Sequence, residues 1–143
     1  MTAQEKNKEI VRRYNKEFIE QGRVETFYEL VSPDFIHHTM PEGMARGPKG
    51  LLHFYSEYLR PGFPELKVKI YDQVAEGDKV VTYKAFYARH RGGLLGLEPS
   101  VDWIKTEAVE ISRLRDGRIV EQWNVMDLQA VLARVREQEN EIY

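Results

Sequence analysis

Cysteine is absent from the 143 residues, which excludes disulfides, thiol nucleophiles and cysteine-bound metals. No apolar run approaches the roughly 18 residues that a membrane span requires. The opening stretch MTAQEKNKEIVRR is charged throughout and lacks the apolar centre of a secretion signal. An excess of one charge is lacking too. The 21 Lys and Arg are interspersed with 23 Asp and Glu, so there is no basic footprint for nucleic acid. Metal and cofactor signatures are missing: there is no HExxH, GGLLG lacks GxGxxG spacing, and the serines sit in no nucleophile elbow. These absences lead us to expect a cytoplasmic protein that uses no metal and no cofactor and binds neither nucleic acid nor membrane. Length and the lack of internal repeats suggest one domain over residues 1–143.

What is present is a regular alternation of helix and strand signals. Ile10, Tyr14, Phe18 and Ile19 recur at helical spacing within residues 3–21, with Gly22 as the C-cap. A short helix over Val24–Leu30 ends at Ser32-Pro33, and DFIHH at 34–38 is a short strand. MPEGMARGPKG is a loop, Lys49–Leu59 a third helix, and RPGFPE at 60–65 its end. Four strands follow: 66–75, Val80–His90, Val101–Leu114 and Ile119–Met126, with turns at EGDK (76–79) and RDG before the last strand. Leu128–Val135 closes the pattern as a helix. Helices first, then a four-stranded antiparallel meander, predicts an α+β fold with helices on one face of a curved sheet. Helices of this length leave part of such a sheet uncovered, so a cavity between the two is the natural result.

Asp127 stands first among chemically suggestive residues. It is positioned to cap the following helix. It also lies four residues after Trp123, and a carboxylate desolvated beside an indole is a competent general acid or base. His37 and His38 are adjacent in a strand, so only one can face the core. His90 ends a strand before a glycine-rich loop, a usual place for functional side chains, whereas His53 reads as a packed or solvated helix residue. Tyr14, Phe18, Phe54, Trp103 and Trp123 are candidates to line a pocket for a flat apolar ligand.

Several blocks, in order, resemble the SnoaL-like polyketide cyclases, or ester cyclases, of the nuclear-transport-factor-2-like superfamily. SPDFIHH resembles an Asp-aromatic-aliphatic-x-His segment and sets His38 on the family histidine. RGPKGLLHFYSEYLRPGFPELKVKIYDQVAEGDKVV resembles a Gly-Pro-x-Gly helix, an aromatic-Pro-acidic turn and a Gly-Asp-x-Val hairpin. ARHRGGLLGLEPS carries His90, Gly92, Gly96 and Pro99 in family order, and DGRIVEQWNVMDLQAVL resembles Asp-Gly-x-Ile-x-Glu-x-Trp-x-x-x-Asp before a short helix. Two departures stand out: Ala88-Arg89 precede His90 in place of Gly-Thr, and Tyr83 occupies a position where arginine is frequent.

The resemblance implies a cone-shaped sheet wrapped around helices over an apolar pocket, in a homodimer or homotetramer. It implies a cofactor-independent, aldol-type ring closure of a small apolar carbonyl compound. Asp127 would be the general acid/base, and His38 and His90 would polarise carbonyl groups beside Trp123. Two other readings stay open. One is a non-catalytic binder of a small hydrophobic molecule. The other is a hydrolase or isomerase in which Glu107 or Glu121 partners Asp127. Self-association through the exposed sheet face is expected.

Overall fold

The computed structural model describes residues 1–89 and 103–127. Helix α1 (Ala3–Arg13) begins at Thr2, whose hydroxyl accepts from the Glu5 amide at 3.1 Å. It continues through wider π-helical turns over Tyr14–Glu20, and at the junction Asn15 Nδ2 donates to the Val11 carbonyl at 2.9 Å. The run stops at Gly22, whose φ of +74° is left-handed and whose N–H closes onto the Phe18 carbonyl. Helix α2 (Val24–Leu30) leads directly into strand β1 (Val31–His37).

Helix α3 (Pro48–His53) also passes into π-helical turns, Phe54–Leu59. It rests so close to the preceding loop that a Cβ on Gly50 would come within 1.8 Å of the Ala45 carbonyl oxygen. Only glycine fits there. Strands β2 (Lys67–Glu76), β3 (Lys79–Ala88), β4 (Ile104–Arg115) and β5 (Arg118–Met126) then form the meander expected from the sequence. The β4–β5 turn has positive φ at both Asp116 and Gly117, the hairpin geometry that matches strand twist. The predicted helix over Leu128–Val135 lies outside the described residues, as do His90 and the loop after it.

The sheet order is β1-β5-β4-β3-β2, and β1 pairs with β5 in parallel. The expected antiparallel meander of β2–β5 is present, and β1, which starts earlier than the 34–38 segment, joins its edge in parallel and makes the open sheet mixed. The helices pack on one face, where Tyr14, Phe18, Phe27, Phe35 and Leu51 are almost fully buried against Val80, Leu114 and Ile119. Burial of this apolar face is the main driving force for the arrangement. Among the described residues, no helix is long and apolar enough to cross a membrane.

One irregularity decides what faces inward. Between β4 and β5 the register runs Arg113 opposite Glu121, then Leu114 opposite Ile119, so Val120 is an extra residue. Ile119 and Val120 are both buried, and past this bulge the inward residues become Gln122, Asn124 and Met126. Glu121, Trp123, Val125 and Asp127 turn to the outer face.

Candidate active site

A cavity of about 440 Å³ opens between the α3 helix and the inner face of the sheet. Its wall is mostly apolar: Met40, Leu51, Phe54, Leu59, Phe63, Leu66, Phe86, Ala88, Ile104 and Met126. The polar groups are few, namely His37, Thr39, Tyr55, Tyr58, Thr106 and Asn124. An apolar enclosure with a handful of convergent polar groups is the usual form of a small-molecule site. A second depression of similar volume lies along α1 and β2. It is open and charged, and Arg12, Arg13 and Lys16 in or beside it already pair with Glu9, Glu17 and Glu20. It offers little unsatisfied chemistry.

His37 enters the cavity because it shares the strand face of Phe35, both being buried. Its backbone N–H is held by the Arg46 carbonyl at 2.7 Å. Desolvation pushes its pKa down to about 4, with Lys84 and His38 adding to the fall and Glu110 opposing it. The ring is thus neutral at pH 7. The Thr39 amide donates to Nδ1 at 3.2 Å, and the Thr39 hydroxyl lies 3.4 Å from the same nitrogen. With Nδ1 held as an acceptor, the neutral ring of this cavity-lining residue carries its proton on Nε2.

Behind the cavity lies a buried polar cluster that sequence reasoning did not single out. Lys84 Nζ donates to Glu110 Oε2 and to Asn15 Oδ1, each at 2.6 Å, and Asn15 Nδ2 donates to Glu110 Oε1 at 3.3 Å. The two charged side chains are 0% and 2% exposed. The ammonium also sits 5.0 Å from the centre of the Phe86 ring, a cavity residue. Nearby, the Tyr14 hydroxyl donates to Gln122 Oε1 at 3.4 Å and Gln122 Nε2 donates to Ser112 at 3.1 Å. Burial raises the phenol pKa of both Tyr14 and Tyr55, so both stay protonated.

The residues singled out from the sequence fall into three groups. Phe54 lines the cavity. Tyr14 and Phe18 are core residues one layer behind it, Phe18 meeting the cavity residue Tyr55 edge-on at 5.7 Å. His90 lies outside the described residues, and the others lie on or beside the outer face. His38 stacks on Trp123 at 4.6 Å, and its Nε2 is 2.7 Å from Glu121 Oε2. Tyr83 is exposed and donates to Glu107, which also pairs with Lys105. Trp103 is exposed beneath the Arg89 guanidinium.

Asp127 is exposed, its Oδ1 accepts from the Glu107 amide at 2.9 Å, and its own N–H reaches the Glu107 carbonyl at 3.1 Å. It prolongs the β4–β5 ladder outside the cavity wall. Asp127, His38 and Trp123 are not among the residues that line the cavity: Asp127 is bonded to Glu107, and His38 stacks on Trp123. The physical reason is the bulge at Val120, which reverses the alternation read from Ile119.

Comparison with known proteins agrees with this architecture. Residues 8–135 match the family described as SnoaL-like polyketide cyclase. Nogalonic acid methyl ester cyclase from Streptomyces nogalater is 29% identical over 119 residues, which span 80% of this chain and 86% of that one. The crystal structure of IdmH, a proposed polyketide cyclase from Streptomyces antibioticus, superposes with a TM-score of 0.80 at 28% identity, over 89% of this chain and 96% of that chain. A SnoaL-like protein from Jannaschia sp. CCS1 gives 0.79 at 27% identity, over 94% of each chain. A match across nearly the whole chain, joined to the open α+β sheet and its apolar cavity, makes this protein a member of the SnoaL-like polyketide cyclase family.

Proposed function

We propose that this protein is a cytoplasmic, polyketide-cyclase-type enzyme that closes a ring in a small apolar carbonyl compound without a cofactor. The observation that carries this reading is the neutral His37, its tautomer pinned by Thr39, in the wall of a mostly apolar cavity. The substrate carbonyl oxygen accepts from His37 Nε2–H. That bond acidifies the adjacent C–H, and a base removes the proton. The resulting enolate carbon attacks a second carbonyl of the same molecule, and the new alkoxide takes up a proton. A neutral imidazole suits the electrophilic role, since it stabilises developing negative charge without itself having been ionised at a desolvation cost.

His37 thus takes the part the family resemblance gave to His38. Proton removal moves here to His90, which the resemblance named as a carbonyl-polarising residue beside Asp127. Asp127 is set aside as the base because the Glu107 amide holds its carboxylate outside the wall. The hydrolase or isomerase reading loses support for a similar reason, since Glu107 and Glu121 are engaged on the outer face.

A second reading, a non-catalytic binder of a small hydrophobic molecule, draws on one observation. Among the described residues, the cavity wall carries no carboxylate. The two separate on incubation with nogalonic acid methyl ester, the compound named for the relative. The enzyme reading expects a ring-closed isomer by chromatography, a kcat/KM about 100-fold lower in His37→Phe, and little change in His38→Phe. Tight binding without any conversion selects the binder. Full activity in His37→Phe refutes the role of that histidine.

The outer sheet face supports a further part of the proposal, assembly into a homodimer or homotetramer. Val81, Tyr83, Val109 and Val125 are 37%, 41%, 41% and 72% exposed there, an apolar surface of the kind that marks an interface.

A further inference from the structure

Tyr55 lines the cavity at 8% exposure, and its hydroxyl has no hydrogen-bond partner among the described residues. The sealed, unpartnered side-chain atoms among those residues belong to Arg89, Arg113 and Asn124, so the Tyr55 oxygen keeps a surface open to the cavity. The ring itself is held firmly. It meets Phe18 edge-on at 5.7 Å and Phe54 edge-on at 5.1 Å. The Tyr55 carbonyl accepts from the Arg60 amide at 3.0 Å, and the Arg60 guanidinium donates to the Ile19 and Glu20 carbonyls at 2.7 and 2.9 Å. The two π-helical segments, one carrying Phe18 and the other Tyr55, are thus tied together around this ring, and such turns concentrate at functional sites. The other cavity hydroxyls serve less well. Thr39 is committed to the Asn124 amide and the His37 ring, Tyr58 is 37% exposed, and Thr106 is an aliphatic alcohol, a far weaker acid than a phenol.

His37 comes from the sheet and Tyr55 from the helix, so the cavity has a neutral imidazole on one wall and a phenol on another. Closing a ring between two carbonyls calls for two such groups: one for the enolate oxygen and one for the oxygen of the carbonyl under attack. We infer that Tyr55 is a further catalytic residue, the general acid that protonates the new alkoxide. The enolate carbon forms the C–C bond, the π pair of the attacked C=O moves onto its oxygen, and that oxygen takes the phenolic proton. The base still holds the proton it took from carbon and returns it to the phenolate, so the cycle neither gains nor loses a proton. A phenol that burial keeps protonated suits this role, because it yields its proton to a strongly basic alkoxide and not to water. This inference rests on the proposed ring-closing reading of the cavity and supplies the acid which that reading leaves unassigned.

The test incubates nogalonic acid methyl ester in deuterium oxide with the full chain as wild type, Tyr55→Phe and His37→Phe. Chromatography reads ring closure, and mass spectrometry reads deuterium entering the carbon beside the carbonyl. In Tyr55→Phe, which keeps the packed ring and removes only an unpaired hydroxyl, kcat for closure falls about 100-fold at unchanged KM. Deuterium still enters the substrate faster than without enzyme, because enolate formation does not need the phenol. In His37→Phe closure and exchange fall together. Full closure in Tyr55→Phe overturns the acid role and leaves the cavity reading intact, as does a joint loss of closure and exchange in that variant. Should Tyr55→Phe fail to fold, fluorotyrosine at position 55 keeps the side chain and changes its acidity: a shifted kcat supports the acid role, and an unchanged one overturns it. No conversion by wild type overturns the cavity reading and this inference with it.

Discussion

Removal of the Lys84 ammonium tests the buried cluster behind the cavity. In Lys84→Met the carboxylate of Glu110, 2% exposed, keeps only the 3.3 Å bond from Asn15 Nδ2 and loses its counter-charge. Breaking a buried pair by removing one partner costs about 3–5 kcal/mol, because an uncompensated charge stays in a low-dielectric interior. Against a total stability of about 5–15 kcal/mol, that is from roughly a fifth of the margin to all of it. In urea unfolding followed by circular dichroism, with a slope near 2 kcal/mol per molar, the midpoint falls by about 2 M. The double variant Lys84→Met/Glu110→Leu removes both charges and should recover most of the loss, as replacement of buried pairs by apolar groups often does. The resulting coupling energy is several kcal/mol, far above that of independent sites. A Lys84→Met midpoint within experimental error of wild type would refute the account, as would a double variant whose loss equals the sum of the singles.

Two further outcomes follow from the geometry. His37 has a folded-state pKa of about 4 against an ordinary value of 6.5, so between those pH values the unfolded chain binds a proton that the folded chain refuses. Stability therefore falls as pH drops from 6.5 to 4, by up to about 3 kcal/mol. Urea titrations across that range should show this slope in wild type and its loss in His37→Phe. An unchanged slope in the variant would count against a buried neutral ring. The apolar outer face predicts self-association in analytical ultracentrifugation at micromolar concentration, weakened by Val109→Lys at the centre of the patch. A wild-type monomer would contradict it.

The elements were largely legible because helical spacing around Ile10, Tyr14 and Phe18, and the Gly-containing turns at 76–79 and 115–117, are local signals. Facing was not. On β3 and β4 the inner face carries Thr82, Lys84, Thr106, Glu110 and Ser112, whereas the outer face carries Val81, Tyr83, Val109 and Ile111. The inner face also carries Val80, Phe86, Ala108 and Leu114, so both faces mix apolar with polar residues and period-two reading cannot tell which side is buried. The same ambiguity covers the adjacent histidines: Phe35 and Ile36 are both apolar, yet Ile36 is exposed and His37 follows Phe35 inward. The bulge at Val120 is a tertiary feature with no residue signature, and it moved Asp127 and Trp123 to the far side. Asn15 drew no notice in the sequence, although it is almost fully buried and completes the Lys84–Glu110 cluster. Its proximity to them exists only once the helix lies across the sheet.

The role of His37 is the central claim, and the most direct measurement is the imidazole nitrogen spectrum of the labelled protein at pH 7 with and without 2-acetonaphthone. The account predicts that His37 is neutral with its proton on Nε2, that this Nε2–H resonance shifts on ligand addition, and that His38 is unaffected. A cationic His37, a proton on Nδ1, or a ligand response at His38 in place of His37 would contradict it.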